Sequence, residues 1–555
     1  MNGWSALGAE LPRVLAAHIE LTLLALALGL LVSLPLGILA SRRPGWGRFV
    51  LGVASVLQTI PGLALLALMV PALAALASVT EGLGLGALPS IGFLPAVLAL
   101  SLYSVLPMLR NTVTGLAGVE PDLIEAARGV GMDPREVLWQ VELPLALPTI
   151  VAGLRTATVW VVGMATLATP VGGMSLGNPI FAGLQTRNLS AVLAGSAAAA
   201  LLAIALDSIV RLAESGFEAR SRMRIGVAGA LVAALALAAI SQGEGHGGRA
   251  QDGPRVTIGA KSFTEQYVLS RILAGVAEEA GAGAVKEIPS LGSTVAFDAL
   301  VSGELDLYVD YTGTIWATIL KRERADEDRA AVLEEVRTRL SEEHGVVLLA
   351  ALGFENTYCL AMRGDDARAR GVERISDLTA MAGGLEILGD FEFFERLEWR
   401  AIEERYALRF AEERAMDAGL MYEALRTRNG DVISAYSTDG RIEADGLAVL
   451  EDDLGVIPPY DAVVLASRDF VRRAPQVVAA IRALEGRIDA AAMRRMNARV
   501  DLGGETPVSV AADWLQVGGA PRPDPQGLPA DDLQRPEEDP RRPHGPSEPT
   551  GKAPR

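Results

Sequence analysis

Residues 306–314 read DLYVDYTGT, where Tyr308 and Tyr311 flank Asp310 and the run closes on hydroxyl-bearing residues. Such a run is either a buried strand that carries aromatics or the wall of a binding site. Three further tyrosines stand at comparable places. Tyr358 begins an expected strand, Tyr436 ends one, and Tyr460 lies in a proline-stiffened crossing. Each of these tyrosines taken alone is more often a core or surface aromatic, and together they suit the wall of a ligand site better than covalent chemistry. Covalent chemistry finds little to work with, because no nucleophile–base or paired-carboxylate arrangement stands out. The one cysteine, Cys359, cannot form an intrachain disulfide, and the 4 scattered histidines make no metal-ligand spacing with it. A phosphate loop (Gly-x-x-x-x-Gly-Lys-Ser/Thr) is also missing, since the only Gly-Lys pair is Gly551-Lys552 in a proline-rich tail.

The elements that position these residues fall in the second of two unlike halves. Up to about residue 241 the chain is dominated by Leu, Ala, Val and Gly, whereas beyond Gln251 it reads as an acidic α/β protein. The net charge of −17 belongs largely to that second half and argues against nucleic acid as a partner. A membrane span needs roughly 20 mostly apolar residues. Spans are expected at about 20–40, 50–78, 94–110, 145–168, 190–210 and 225–241, the second kinked or re-entrant at Gln58, Pro61 and Pro71. Arginines cluster at Arg42, Arg43 and Arg48, at Arg110, Arg128 and Arg135, and at Arg211, Arg220, Arg222 and Arg224; the intervening segments hold only Arg13 and Arg187. The positive-inside rule then places the 111–144 loop in the cytoplasm and everything after residue 241 outside. The final span reads as an uncleaved anchor, the segment SQGEGHGGRAQDG as a flexible linker, and residues 521–555 as disordered.

The cytoplasmic loop contains EAARGVGMDPREVLWQVELP. Pro121 suits a first helical turn, Gly131 can end that helix, and Asp133-Pro134 starts a second. On pattern alone the run reads either as a helical hairpin packed on its own membrane domain or, hastily, as a DNA-binding helix-turn-helix. The fuller spacing, Glu125-Ala126-Ala127, then Gly131, then Val141-Glu142-Leu143-Pro144, resembles the EAA loop of binding-protein-dependent ABC importer permeases. LQTIPGLALLAL and IFAGLQTRN resemble the glycine betaine, carnitine and choline branch of that family. The resemblance implies that Glu125, Ala126, Ala127 and Gly131 form the coupling surface for a separate ATPase, which would bind ATP and Mg, while this chain carries no cofactor of its own.

In the second half VTIGA is a strand ending near Lys261, and Ser262 with Glu265 is expected to form a capping box for the helix that follows. In LDLYVDY, period two puts Leu307, Val309 and Tyr311 on one face and Tyr308 on the other. Arg396 is expected early in a helix after LEILGD. The blocks IGAKSFTEQ, LGSTVAFDALVSGELDLYVDYTGT, GFENTYCLAMR, AYSTDGRI and IPPYDAVVL resemble the substrate-binding proteins of osmoprotectant importers.

That resemblance implies an all-α transmembrane permease domain (1–223, with its coupling loop at about 118–145), an anchor and linker (224–254), and a two-lobed α/β periplasmic binding protein domain of type II (255–520). One lobe would hold 255–357 and 462–518, the other 359–461. Tyr311, Tyr358, Tyr436 and Tyr460 would wall a quaternary ammonium, each ring face contributing about 0.5–2 kcal/mol. Lys261, Arg396 and Thr314 would meet a carboxylate, which favours glycine betaine or a similar betaine over choline. Lys261 and Arg396 could instead be surface charges or pair with Glu395 and Glu265. The family commonly has glutamate where this chain has Asp310, and a small apolar residue near Glu355. The implied assembly is a homodimer in the inner membrane with two ATPase subunits; a choline importer and a membrane-tethered sensor remain as alternatives.

Overall fold

The structure, a computed structural model, describes residues 3–83, 88–186, 188–244, 253–322, 329–390, 393–416 and 418–519. The core of the expected linker, 245–252, and the expected disordered tail, 521–555, lie outside the described residues. Leu- and Ala-rich runs make the first half helical. It comprises α1 (Gly3–Arg42), α2 (Pro44–Thr59), α3 (Gly62–Gly82), α4 (Phe93–Ala117), α5 (Pro121–Gly129), α6 (Pro134–Val137), α7 (Leu143–Ala165), α8 (Gly177–Gln185), α9 (Leu189–Glu218) and α10 (Arg222–Glu244). Five of the described stretches are long and apolar enough to cross a membrane, or six if α2 and α3 count as one broken span.

The break between α2 and α3 turns the chain by 100°. Pro61 causes it, because proline disfavours helical backbone at the residue before it, and Ile60 is extended (ψ 126°). Tyr103 of α4 donates its hydroxyl to the Ile60 carbonyl and holds the corner. Pro71 stays inside α3 without ending it. The second loop helix does not remain separate as expected: α6 runs through a π-turn (Leu138–Glu142) into α7, one apolar stretch over Pro134–Val171. Pro144 brings no N–H to the ladder, and the wider turn, in which the Leu143 N–H reaches the Leu138 carbonyl, carries the helix past it. Helix α4 lies between α1 and α7, and α7 in turn packs on α9.

The second half is built on two sheets. The first has the order β2-β1-β3-β10-β4, with β1 (Arg255–Lys261), β2 (Ala284–Leu291), β3 (Leu307–Tyr311), β4 (Val346–Glu355) and β10 (Asp461–Ser467). β1 is parallel to β2 and β3, whereas β10 is antiparallel to β3 and β4. The second sheet has the order β7-β6-β8-β5-β9, with β5 (Tyr358–Arg363), β6 (Glu386–Gly389), β7 (Glu412–Ala415), β8 (Val432–Tyr436) and β9 (Leu447–Val449). The chain passes between the sheets at 356–357 and returns before Asp461. β3 follows its period of two: Leu307, Val309 and Tyr311 join one apolar core and Tyr308 the other. Helices α11 (Thr264–Glu279) and α12 (Ser293–Val301) flank the first sheet.

Candidate ligand site and coupling surface

Four of the candidate ligand residues come together from separate segments of the chain. Tyr358 opens β5 and Tyr436 closes β8, and strand register places them directly opposite each other. Their ring centroids are 4.8 Å apart, and the Tyr436 hydroxyl donates to the Tyr358 oxygen at 2.9 Å. It also lies 3.1 Å from Asp390, the last residue of LEILGD. Arg396 caps the helix Leu397–Arg405 rather than lying inside it, and its guanidinium sits 5.1 Å from the Tyr358 centroid. Glu398, rather than the considered Glu395, is one carboxylate beside it, at 3.6 Å. Tyr460, just before β10, donates its hydroxyl to Glu398. Burial works against the Arg396 charge, but Tyr358, Tyr460 and Glu398 around it raise its pKa above the ordinary arginine value.

Tyr460 also ties this cluster to the DYTGT turn. A Cβ on Gly313 would meet the Tyr460 ring at 2.5 Å, so only glycine allows that approach. Thr312 fixes the same crossing, its hydroxyl donating to Pro459 O and accepting from Asp461 N, both at 2.9 Å.

Tyr311 and Lys261 stand differently from expectation. The Tyr311 hydroxyl donates to Glu265 Oε1 at 2.6 Å and accepts from Gln266 Nε2 at 3.1 Å, and the residue is 4% exposed. Lys261, the last residue of β1, is buried and paired with Asp310, and its ammonium lies 5.5 Å from the Tyr311 ring centroid. Its charge is therefore already compensated by the residue that departs from the family pattern. Tyr308, expected only to pack, donates to the other Asp310 oxygen at 2.6 Å. Thr314 lines a cavity of about 180 Å³ with Asp310, Asp298, Phe297 and His344.

The capping box of Ser262 and Glu265 does not form. α11 begins at Thr264, with Phe263 at its N-cap and no side-chain cap, because Glu265 turns inward. Its carboxyl accepts from Tyr311, from Asn356 in the crossing at 3.1 Å and from Asn497 at 3.2 Å. Asn497 also donates to Thr438 O at 2.9 Å, so one buried carboxyl binds the elements around the crossings together. Burial raises its pKa, although Thr438, Tyr311, Asn497 and Asn356 oppose that shift. Sequence reasoning assigned no ligand-site role to Glu265, Asp390 or Glu398, although the runs IGAKSFTEQ, LEILGD and FEFFERLEW contain them.

On the loop side, α5 ends near Gly131, whose φ of +92° requires glycine-like freedom. Asp133 and Glu136 form a capping box on α6. Glu125 and Ala126 are exposed and Ala127 is buried. On the apolar side of the loop Leu123 is 44%, Val130 77% and Trp139 66% exposed, which does not suit a hairpin packed on its own membrane domain. Glu142, 3% exposed, anchors the region by a two-pronged pair with Arg42 at the end of α1, Nη1 to Oε1 being 2.9 Å.

Residues 33–220 match the binding-protein-dependent transport system inner membrane component, and residues 254–517 the substrate binding domain of ABC-type glycine betaine transport systems. The ergothioneine transport permease/ergothioneine binding protein EgtU of Helicobacter pylori is 30% identical over 89% of this chain and 87% of its own length. The choline transport system permease protein OpuBB of Bacillus subtilis is 40% identical over 37% of this chain and 88% of its own length. A glycine-betaine-binding protein of Pseudomonas aeruginosa is 36% identical over 47% and 86%. Among solved structures, that of a glycine betaine/carnitine/choline ABC transporter has 30% identity and a TM-score of 0.45, covering 47% of this chain and 98% of that one.

The chain belongs to the osmoprotectant branch of the ABC importers, as a membrane protein in which permease and substrate-binding domain are fused. Its two domains are transporter components rather than catalysts, and membership of this family implies an ATPase partner.

Proposed function

We propose that the chain imports a betaine, a zwitterion carrying a quaternary ammonium and a carboxylate. The observation that carries this reading is the Arg396 guanidinium resting on the Tyr358 ring beside Tyr436 and Tyr460. The Tyr358 ring already holds a cation on its face. An incoming ammonium takes that face, and Arg396 turns to the ligand carboxylate, where a charge-assisted pair forms. Three such faces with burial reach roughly −8 kcal/mol, a micromolar affinity. Glycine betaine and ergothioneine, which is itself a trimethylated betaine, both fit this class, whereas choline offers no carboxylate to Arg396. Lys261 and Tyr311 back the site from the first sheet through their partners Asp310 and Glu265, and Thr314 lines the cavity it shares with Asp310.

In this reading residues 255–357 and 462–518 form one lobe and 359–461 the other, and both face the outside of the cytoplasmic membrane. Two copies pair through their permease halves. Two ATPase subunits, which bind ATP and Mg, dock on Glu125, Ala126, Ala127 and Gly131, and the exposed Leu123, Val130 and Trp139 give that contact an apolar centre. Calorimetry on the full chain in lipid nanodiscs, with glycine betaine, ergothioneine and choline, tests the substrate. Betaines should bind more tightly than choline, and Arg396→Gln should erase the difference. Tight choline binding without betaine binding would sink the proposal.

A further inference from the structure

Glu304 belongs to the SGELDLY run and sits in the turn between α12 and β3, away from the ligand cluster. Its carboxylate reaches the membrane half. Oε1 lies 2.5 Å from both the backbone N and the Oγ of Ser90, and Oε2 lies 3.0 Å from the backbone N of Ile91. Ser90 and Ile91 are 1% and 5% exposed, and they lead into α4, whose N-cap Gly92 supplies no side chain. An anion is favoured there, because unpaired N–H groups and the helix dipole point the same way.

The surrounding contacts engage a second break in the membrane helices. Gly92 N–H donates to Val171 O at 2.7 Å, which holds the 88–92 segment against the 3-10 turn after α7. Gly292 N–H donates to Pro170 O at 3.4 Å, and Ile288 and Leu291 of β2 lie 3.3 and 3.4 Å from where a Cβ on Gly172 would stand. Thr264 Oγ1 lies 3.4 Å from Gln185 O, at the end of α8. All of these receptor residues come from the half built on the first sheet.

We infer that Glu304 is the docking residue that seats the first-sheet half of the receptor on the permease half of its own chain. It is a positioning residue, touching no substrate, and it acts on α4 and on the turn after α7. The inference rests on family membership and on this contact, not on which betaine is carried.

The test uses the full chain in membranes with Cys359→Ala and the reporter pair Pro170→Cys and Gly292→Cys, oxidised and read by mass spectrometry. A link between copies doubles the mass seen on a non-reducing gel, so links within one chain separate from links between chains. Linkage should fall within one chain, and Glu304→Lys should lower its yield about 10- to 100-fold, the equivalent of losing a charge-assisted contact to buried donors. Glu304→Gln keeps one acceptor oxygen and should fall between. Links that form between copies, or yields unchanged by Glu304→Lys, would overturn the inference. In nanodiscs the same Lys variant should keep its ligand affinity, in sealed proteoliposomes with the ATPase partner it should lose uptake, and a parallel loss of affinity would also count against docking. Crosslinking proceeds without ligand, so a wrong substrate leaves this result unaffected.

Discussion

Tyr358 and Tyr308 make opposite predictions although both are buried tyrosines. Tyr358 offers a face that already carries Arg396, so Tyr358→Ala should weaken betaine binding about 10-fold or more in calorimetry, one cation–π contact plus lost packing. Tyr308→Phe should leave affinity nearly unchanged. It removes one donor from Asp310 and should cost about 1–3 kcal/mol of stability in a melt of the receptor half. Gly313→Ala forces a methyl onto a Tyr460 ring tethered by Glu398, and a tenfold or larger loss of affinity should follow. The two lysine and tyrosine positions of the first sheet were legible as strand ends in the sequence. Their partners were not, because Glu265 and Asp310 lie 46 and 49 residues from Tyr311 and Lys261 and only the β1–β3 pairing brings them together.

At the level of elements, the crossing region is tied through one buried carboxyl, and this sets a pH dependence. Glu265 has its pKa raised by burial above the ordinary 4.5, so the folded state holds its proton at a pH where the unfolded state releases it. Its contribution is then most favourable below 4.5 and declines as pH rises toward the raised folded value. Glu265→Gln should flatten that decline in melts recorded across the interval, and an unchanged slope would assign the dependence elsewhere. The helical spans were readable from apolar length alone. The π-turn that fuses α6 to α7 was not, because Asp133-Pro134 and Pro144 each read locally as boundaries while the Glu142–Arg42 pair holds the segment in line.

For the whole molecule, transport requires both halves to act together, and Glu125→Lys separates an importer from a sensor. The exposed loop charge should be dispensable for ligand binding and necessary for uptake with the ATPase partner, so uptake unchanged in the variant would favour sensing. Composition and hydrophobic period by themselves determined that the chain is a membrane bundle followed by an α/β half, because span length and strand alternation are local properties. The EAA spacing and the tyrosine blocks placed both within an importer. Only the tertiary structure decided which charges are already spent. Lys261 is compensated by Asp310, Arg396 is held on Tyr358 near Glu398, and Glu304 reaches across to Ser90 and Ile91. Each of those pairings depends on where distant segments meet, and charge interactions depend on distance and burial that no local pattern records.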